Sequence, residues 1–401
     1  MDIYEHILEI CLDHGFTFYS SLPCSYNTTM LEKLNQLNGT RIKSVSKELI
    51  HIPLVREESG VALNAGAYLG GRKTAMVLQN QGLGNMVTQM LSLNSDLEGS
   101  YNIPNLLIIS HRGQEGEKIR AQKPVGNKTK DILDLIGIKY LDIKNRADLD
   151  KIPNLLRKYE KNQSIALLVK PKYEDSPYRL KSTEQSERTL KGTRITESEQ
   201  ITTMSRHQAI ETVMKHVKDE FIISNLGHPS RELFDIKDRK RNFYLTSCLG
   251  QSYMLSLGFS LTMRNAPEKI IAFEGDGGLL MNSGSLSILA HQSPKNLILM
   301  IFDNGVYGST GNIKTYASQF VNLSGLVQAY GFPESKIFII ANPQDLENHL
   351  DGALKNDGPF LFHILLNDEY RPVPILPYSV IEIKTRFMDE IKQVSNPRPR
   401  E

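Results

Sequence analysis

The stretch KIIAFEGDGG, residues 269–278, and the later NLILMIFDNG, residues 296–305, decide how the chain is read. Each is an apolar run that stops at a small polar cluster, the pattern of a buried parallel strand ending in a loop. Between Gly275-Asp276-Gly277 and Asp303-Asn304 lie 25 residues, room for one crossover helix. Neighbouring parallel strand ends converge on one crevice. There Asp276 offers a hard carboxylate oxygen, Asn304 an amide oxygen and Val306 a backbone carbonyl, a set suited to Mg2+ rather than zinc. Gly275 and Gly277 let backbone N–H groups approach a phosphate. Gly-Asp-Gly alone is usually a plain turn, because both residues favour turns for local reasons. The second cluster is what points to a metal-held diphosphate.

Working outward, 401 residues with 40% hydrophobic content can build two or three domains with sizeable cores. A formal charge of +2 gives no electrostatic case for nucleic acid or an anionic membrane surface. The opening MDIYEHILEICLDHG places Ile3, Ile7, Leu8, Cys11 and Leu12 on one helical face behind an Asp2/Glu5 capping pattern. It is expected to be neither a signal peptide nor a membrane span. Cys11, Cys24 and Cys248 form no CxxC pair and no disulfide framework, which fits a cytoplasmic protein.

Apolar strands alternate with helical patterns twice, as in TAMVLQNQGLGN and NLLIISHRG early and in the two deciding stretches later. A polar segment rich in charge and hydroxyls separates the two series. The expected organisation is residues 1–171, a linker at 172–200, and residues 201–401. Both halves read as α/β domains with a mainly parallel sheet flanked by helices, divergent copies of one design.

The pair of clusters resembles the thiamine diphosphate motif shared by 2-oxoacid decarboxylases and their relatives. That resemblance implies a pyrimidine-binding first domain and a diphosphate-binding second one, with Mg2+ on Asp276, Asn304 and Val306. It also implies a glutamate hydrogen-bonded to the cofactor's pyrimidine, to control its tautomer. In REESGVALNAGAYLGG the family spacing, a glutamate nine residues before a glycine, falls on Glu57 and Gly66. Glu58 is the rival, and acids at a helix start also occur simply because the macrodipole favours them. The same resemblance assigns cofactor contacts to Gly82, Asn85, Tyr307 and the backbone carbonyl of Ser247. Leu249 becomes an apolar wedge beneath the cofactor, although plain core packing is the commoner fate of a leucine.

Several segments, among them LPCSYNTT, AGAYLGGRKTAMVLQNQGLGN, NLGHPSRELF and DNGVYGSTGN, resemble the phosphonopyruvate and sulfopyruvate decarboxylase family. The likeness covers nearly all the chain outside the linker. It implies two catalytic domains without the central domain of larger relatives, a span of about 150 residues. REESG, SHRGQEGEKIRAQ and VIEIKTRFM look closer to the sulfopyruvate branch, with its two subunits fused. The implied reaction is decarboxylation of 3-sulfopyruvate to sulfoacetaldehyde in coenzyme M biosynthesis. Phosphonopyruvate is the alternative substrate, and an acetolactate-synthase-like carboligase a further one. The family also implies a homodimer or homotetramer with the cofactor between chains.

A C3 oxyanion on the substrate calls for N–H and cationic donors. Candidates are Cys24, Ser25, Asn80, Gln81, His111 and Arg112, with Lys123 and the Ser309-Thr310 pair weaker. Gln79 to Asn85 is expected to be a Gly-rich loop. For any one of these, satisfying local backbone is as common as touching substrate. His51, His111 and His228 are possible proton donors, since no adjacent His-His pair exists. Three scattered cysteines cannot ligate an iron–sulfur cluster. No strand-GxGxxG-helix unit supports a nicotinamide dehydrogenase.

Overall fold

The structure is a computed structural model that describes residues 2–171, 202, 204–308, 313–318, 321–367, 369 and 371–395. The expected linker at 172–200 and the Ser309-Thr310 pair lie outside the described residues. The chain divides into two compact units, Met1–Gly192 and Thr193–Glu401.

The first unit is built on a six-stranded, all-parallel sheet. Its order is Ile50–Pro53, Phe16–Ser21, Lys73–Gln79, Leu106–Ser110, Ile165–Val169 and Lys139–Ile143. The Leu106–Ser110 and Ile165–Val169 strands are buried at every position, as continuous aliphatic runs demand when helices cover both sheet faces. Helix Ile3–Asp13 starts at a complete Asp2/Glu5 capping box and buries Tyr4, Ile7, Leu8 and Cys11. Phe16 packs edge-on against Tyr159 at 4.8 Å, and the Tyr159 hydroxyl accepts from the Thr74 N–H. A fully buried ring of this kind stabilises by about 1.5–3 kcal/mol.

The second unit repeats the architecture. Its parallel sheet runs Asn242–Tyr244, Phe221–Ser224, Ile270–Gly275, Leu297–Asp303, Phe360–Leu365 and Ile337–Ile340. Numbered by sequence within each sheet, both orders are 2-1-3-4-6-5. Helix Arg206–His216 starts at a Ser205/Gln208 capping box. Phe387, from helix Val380–Ser395, lies 5.2–5.3 Å from the Phe221, Phe243 and Phe259 rings and closes the core on that side. In each sheet the chain reverses direction of travel between its first and third strands, which opens a crevice at their carboxyl ends. The first unit's crevice is flanked by Cys24 and Asn80, the second's by Asn225 and Asp276.

All three cysteines are free and buried. Burial pushes the Cys11 thiol up to about 12, so it behaves as a small apolar residue. Among the described residues, no helix is long and apolar enough to cross a membrane.

Candidate active site

In the first unit, helix Glu57–Leu69 follows the Ile50–Pro53 strand and is buried at every position but Tyr68. Glu57 therefore opens a helix that cannot turn its first residue to solvent. It is 8% exposed, and its Oε2 accepts from Asn85 Nδ2 at 3.0 Å. Glu58 turns the other way, to Arg56 Nε at 3.1 Å. Burial raises the Glu58 carboxyl above its ordinary range. The two acids flagged in sequence are thus separated by geometry: Glu57 meets Gly82 and Asn85, whereas Glu58 is an ion-pair member.

Gly82 has a steric reason to be glycine, because a Cβ there would overlap Cγ, Cδ and Oε1 of Glu57. The expected Gly-rich loop from Gln79 to Asn85 is helical instead. A 3-10 turn, Asn80–Gly82, runs straight into helix Leu83–Gln89. Asn80 explains the difference. It is fully buried, its Oδ1 accepts from Arg112 N–H at 2.9 Å, and its Nδ2 donates to the Arg112 carbonyl and to Thr129. This clamp fixes the turn on the neighbouring strand end.

Arg112, a candidate donor to the substrate oxyanion, is ion-paired within the fold. Its guanidinium is 4% exposed for the residue and donates to both oxygens of Glu117, at 2.7 and 3.0 Å, while stacking 4.7 Å over the Tyr26 ring. The pair drives Glu117 down to about 2 and Arg112 upward. His111 lies 3.2 Å from the Gly126 carbonyl and 2.9 Å from Gln114 Nε2, and burial lowers its pKa. Cys24 is buried, with its N–H donating to Asn27 Oδ1, and Ser25 is exposed. Gln81 is half-buried and reaches the Gln122 carbonyl at 3.4 Å, while Lys123 is exposed. Asn80, His111 and Arg112 therefore spend their polar atoms within the fold, whereas Ser25 and Gln81 remain outward.

In the second unit the Ile270–Gly275 strand delivers Asp276 to the first turn of helix Asp276–Met281. Asp276 is 3% exposed and accepts from the Thr315 hydroxyl. Burial, then the charge of Asp303, raises its carboxyl to about 6. A buried carboxylate with a second one nearby is an environment that a divalent cation would relieve. Asn304 and Val306 are half-buried in the turn after Asp303, and Thr315 N–H returns to the Gly305 carbonyl at 2.9 Å. The carboxylate, amide and carbonyl oxygens fit a hard cation. Among the described residues, no three His, Cys, Asp or Glu side chains come together as a group that could hold a metal ion.

The Gly277 position is closed by Tyr307, whose ring a Cβ would overlap. Gly275 is different, since a Cβ there would meet only Asn225 Nδ2 at 3.7 Å. Leu249 is half-buried rather than sealed in the core, between two left-handed residues, Cys248 at φ 65° and Gly250 at φ 78°. A left-handed cysteine is uncommon and marks a turn whose shape matters more than its strain. Asn282 Nδ2 donates to the Gly250 carbonyl at 3.0 Å, and Ser247, half-buried, precedes this turn.

Sequence reasoning missed Glu274, Asn225 and Thr315. Glu274 is fully buried, and its carboxylate accepts from Asn225 Nδ2, Gly275 N–H at 3.0 Å, Ser252 N–H at 3.2 Å and Ser252 Oγ at 2.6 Å. Burial lifts it to about 7. An acid closing an apolar strand was its one visible signal. Thr315 carried none, lying 39 residues from Asp276. Of the histidines, His51 is saturated inside the fold by Ser21 Oγ and Asn35 Oδ1, each at 2.8 Å. His228 opens helix His228–Lys237 and bonds the Gly308 backbone.

Known proteins resemble this chain in both sequence and fold. Residues 229–364 match the thiamine pyrophosphate enzyme C-terminal TPP binding domain. A benzoylformate decarboxylase from Polynucleobacter necessarius superposes with a TM-score of 0.66 at 12% identity, covering 92% of this chain and 99% of its own, which shows a shared fold. A sulfopyruvate decarboxylase from Methanosarcina acetivorans is 32% identical over 96% of this chain and 97% of its own. A phosphonopyruvate decarboxylase from Streptomyces viridochromogenes is 30% identical over 88% and 85%. Separate alpha and beta subunits of sulfopyruvate decarboxylase from Methanococcus maripaludis match 38% and 47% of this chain. Fold and domain match define a thiamine diphosphate enzyme of two α/β units. Within that class, the chain belongs to the sulfopyruvate and phosphonopyruvate decarboxylase family.

Proposed function

We propose that the chain catalyses the thiamine diphosphate- and Mg2+-dependent, non-oxidative decarboxylation of 3-sulfopyruvate to sulfoacetaldehyde and CO2, a cytoplasmic step of coenzyme M biosynthesis. The observation that carries the substrate is the 32% identity to a sulfopyruvate decarboxylase over 97% of that protein's length. The phosphonopyruvate decarboxylase match, at 30% over 85%, supports the second reading, with phosphonoacetaldehyde as product.

When bound, thiamine diphosphate supplies the carbanion that adds to the keto carbon and the sink for the electron pair left by CO2. The chain's residues do the rest. Glu57, braced by Asn85 and Gly82, would be the carboxyl that hydrogen-bonds the cofactor's pyrimidine and controls its tautomer. Asp276, Asn304 and the Val306 carbonyl would hold Mg2+, and the Gly275 and Gly277 backbone would hold the diphosphate. Leu249 and the Ser247 carbonyl would contact the bound cofactor, and Tyr307 packs against Gly277 beside Asp276. At the substrate end, Ser25, Gln81 and Cys24 supply direct contacts to the sulfonate. Arg112, through Glu117 and Tyr26, Asn80, through its clamp on the Arg112 backbone, and His111, beside Gly126 and Gln114, shape that pocket.

The test is anaerobic turnover of sulfopyruvate, phosphonopyruvate and pyruvate with thiamine diphosphate and Mg2+, comparing kcat/KM for CO2 and aldehyde release. Preference for sulfopyruvate supports the proposal, and preference for phosphonopyruvate moves the chain to the second reading. A condensed product from pyruvate would make it a carboligase. The assembly is proposed as a homodimer or homotetramer. Sedimentation tests the size, and partial rescue on co-expressing Glu57→Ala with Asp276→Ala tests whether the oligomer shares its sites.

A further inference from the structure

Asp303 stands one residue before Asn304, and both of its carboxylate oxygens are occupied. Oδ1 accepts from the Gly305 N–H at 3.1 Å, and Oδ2 meets His363 Nε2 at 2.8 Å. His363 Nδ1 in turn lies 2.6 Å from Ser324 Oγ. The three side chains come from the end of the Leu297–Asp303 strand, the adjoining Phe360–Leu365 strand and helix Leu323–Ala329. Parallel pairing sets Ile301 beside His363 and Asp303 beside Leu365, so the imidazole reaches forward along the sheet to the carboxylate.

The order Ser-His-Asp is that of a hydrolytic triad, but its surroundings exclude that chemistry. Ser324 is 0% exposed and His363 3%, so no acyl donor reaches the hydroxyl. What the arrangement does is hold a turn. A carboxylate bonded on both oxygens cannot swing, and Gly305, at φ 67°, starts its reversal from that anchor. A serine hydroxyl donating to Nδ1 leaves the imidazole proton on Nε2, the tautomer that donates to the carboxylate.

We propose that Ser324, His363 and Asp303 form a positioning relay that presets the Asn304–Val306 turn for its cation. The proposal rests on the reading of Asn304 and Val306 as Mg2+ ligands. Partners behind the ligands of a metal site orient them, and losing one lowers metal affinity by about 10- to 100-fold. None of the three needs to touch cation, cofactor or substrate to do so.

The experiment is calorimetric titration of Mg2+ into the full chain with thiamine diphosphate present, alongside the Mg2+ dependence of kcat. His363→Gln should weaken Mg2+ binding by about 10- to 100-fold, with kcat largely recovered at saturating Mg2+. A merely structural defect would instead lower the folded fraction and leave the affinity of the remainder unchanged. Ser324→Ala, which leaves the imidazole in place, should give a smaller loss in the same direction, and Ser324→Thr should restore it. Wild-type affinity in folded His363→Gln overturns the relay, and if that variant does not fold, wild-type affinity in Ser324→Ala does so. No Mg2+-dependent uptake by the wild-type chain overturns the relay together with the ligand assignment, which separates the two failures.

Discussion

The Glu57 carboxyl lies so close to the Gly82 backbone that a Cβ at position 82 would overlap three of its side-chain atoms. Gly82→Ala should therefore rotate Glu57 off Asn85. The colliding atoms belong to one movable side chain, so the melting temperature should change little while kcat falls on the order of 10²-fold, the cost of a misplaced group. Glu57→Gln, measured in the same assay, should lose about 10²- to 10⁴-fold. Equal losses in stability and activity for Gly82→Ala would count against this account.

Gly275 and Gly277 should part ways when each becomes alanine. In an ordinary helix Gly→Ala stabilises, by up to about 1 kcal/mol. At Gly277 the Tyr307 ring occupies the space, so the sign reverses to a loss of about 1–3 kcal/mol by chemical denaturation. At Gly275 the added methyl meets only an ordinary contact. That variant should fold normally and show its defect in calorimetric thiamine diphosphate binding alone.

Leu249→Ala should cost less stability than the roughly 2–5 kcal/mol of a sealed core leucine, because Leu249 is only half-buried. If the side chain supports the cofactor, kcat/KM should drop at least tenfold with thermal stability nearly retained. A drop in melting temperature typical of a core leucine, with kcat/KM intact, would return it to plain packing.

His51 sets a pH dependence of stability. Burial lowers its pKa from 6.5 to about 4, so as pH falls the unfolded chain takes up the proton first. The neutral ring's contribution is complete above pH 6.5 and is lost between 6.5 and 4, up to about 3 kcal/mol. His51→Gln should be less stable than wild type at pH 7, and the gap should narrow toward pH 4. A gap that stays constant across this window would show that the ring's protonation is not the cause. Glu117, held at about 2 by Arg112, adds its own loss only below its ordinary range near 4.5.

The deciding strands were legible because a parallel sheet covered on both faces needs uninterrupted apolar runs, and KIIAFE and NLILMIF are such runs. Residues at their ends inherited a place from the topology, which is why Asp276 and Asn304 could be named. Glu57 was a different case, reached by family spacing, since an acid at a helix start also has a local explanation. Pairings across distant sequence left no trace. Asn80 with Arg112, Thr315 with Asp276 and His363 with Asp303 are separated by 32, 39 and 60 residues, and each partner has many plausible alternatives until the fold is known. The Arg112–Glu117 pair spans only five residues, yet nothing in the sequence singled Glu117 out as its partner.

Both sheets share the order 2-1-3-4-6-5, and each is complete with strands of its own unit. Among the described residues, neither half borrows a strand to finish its sheet. The join between them is then dispensable as architecture, in keeping with relatives that carry separate alpha and beta subunits. What one continuous chain adds is supply: the two halves are made in a fixed one-to-one ratio.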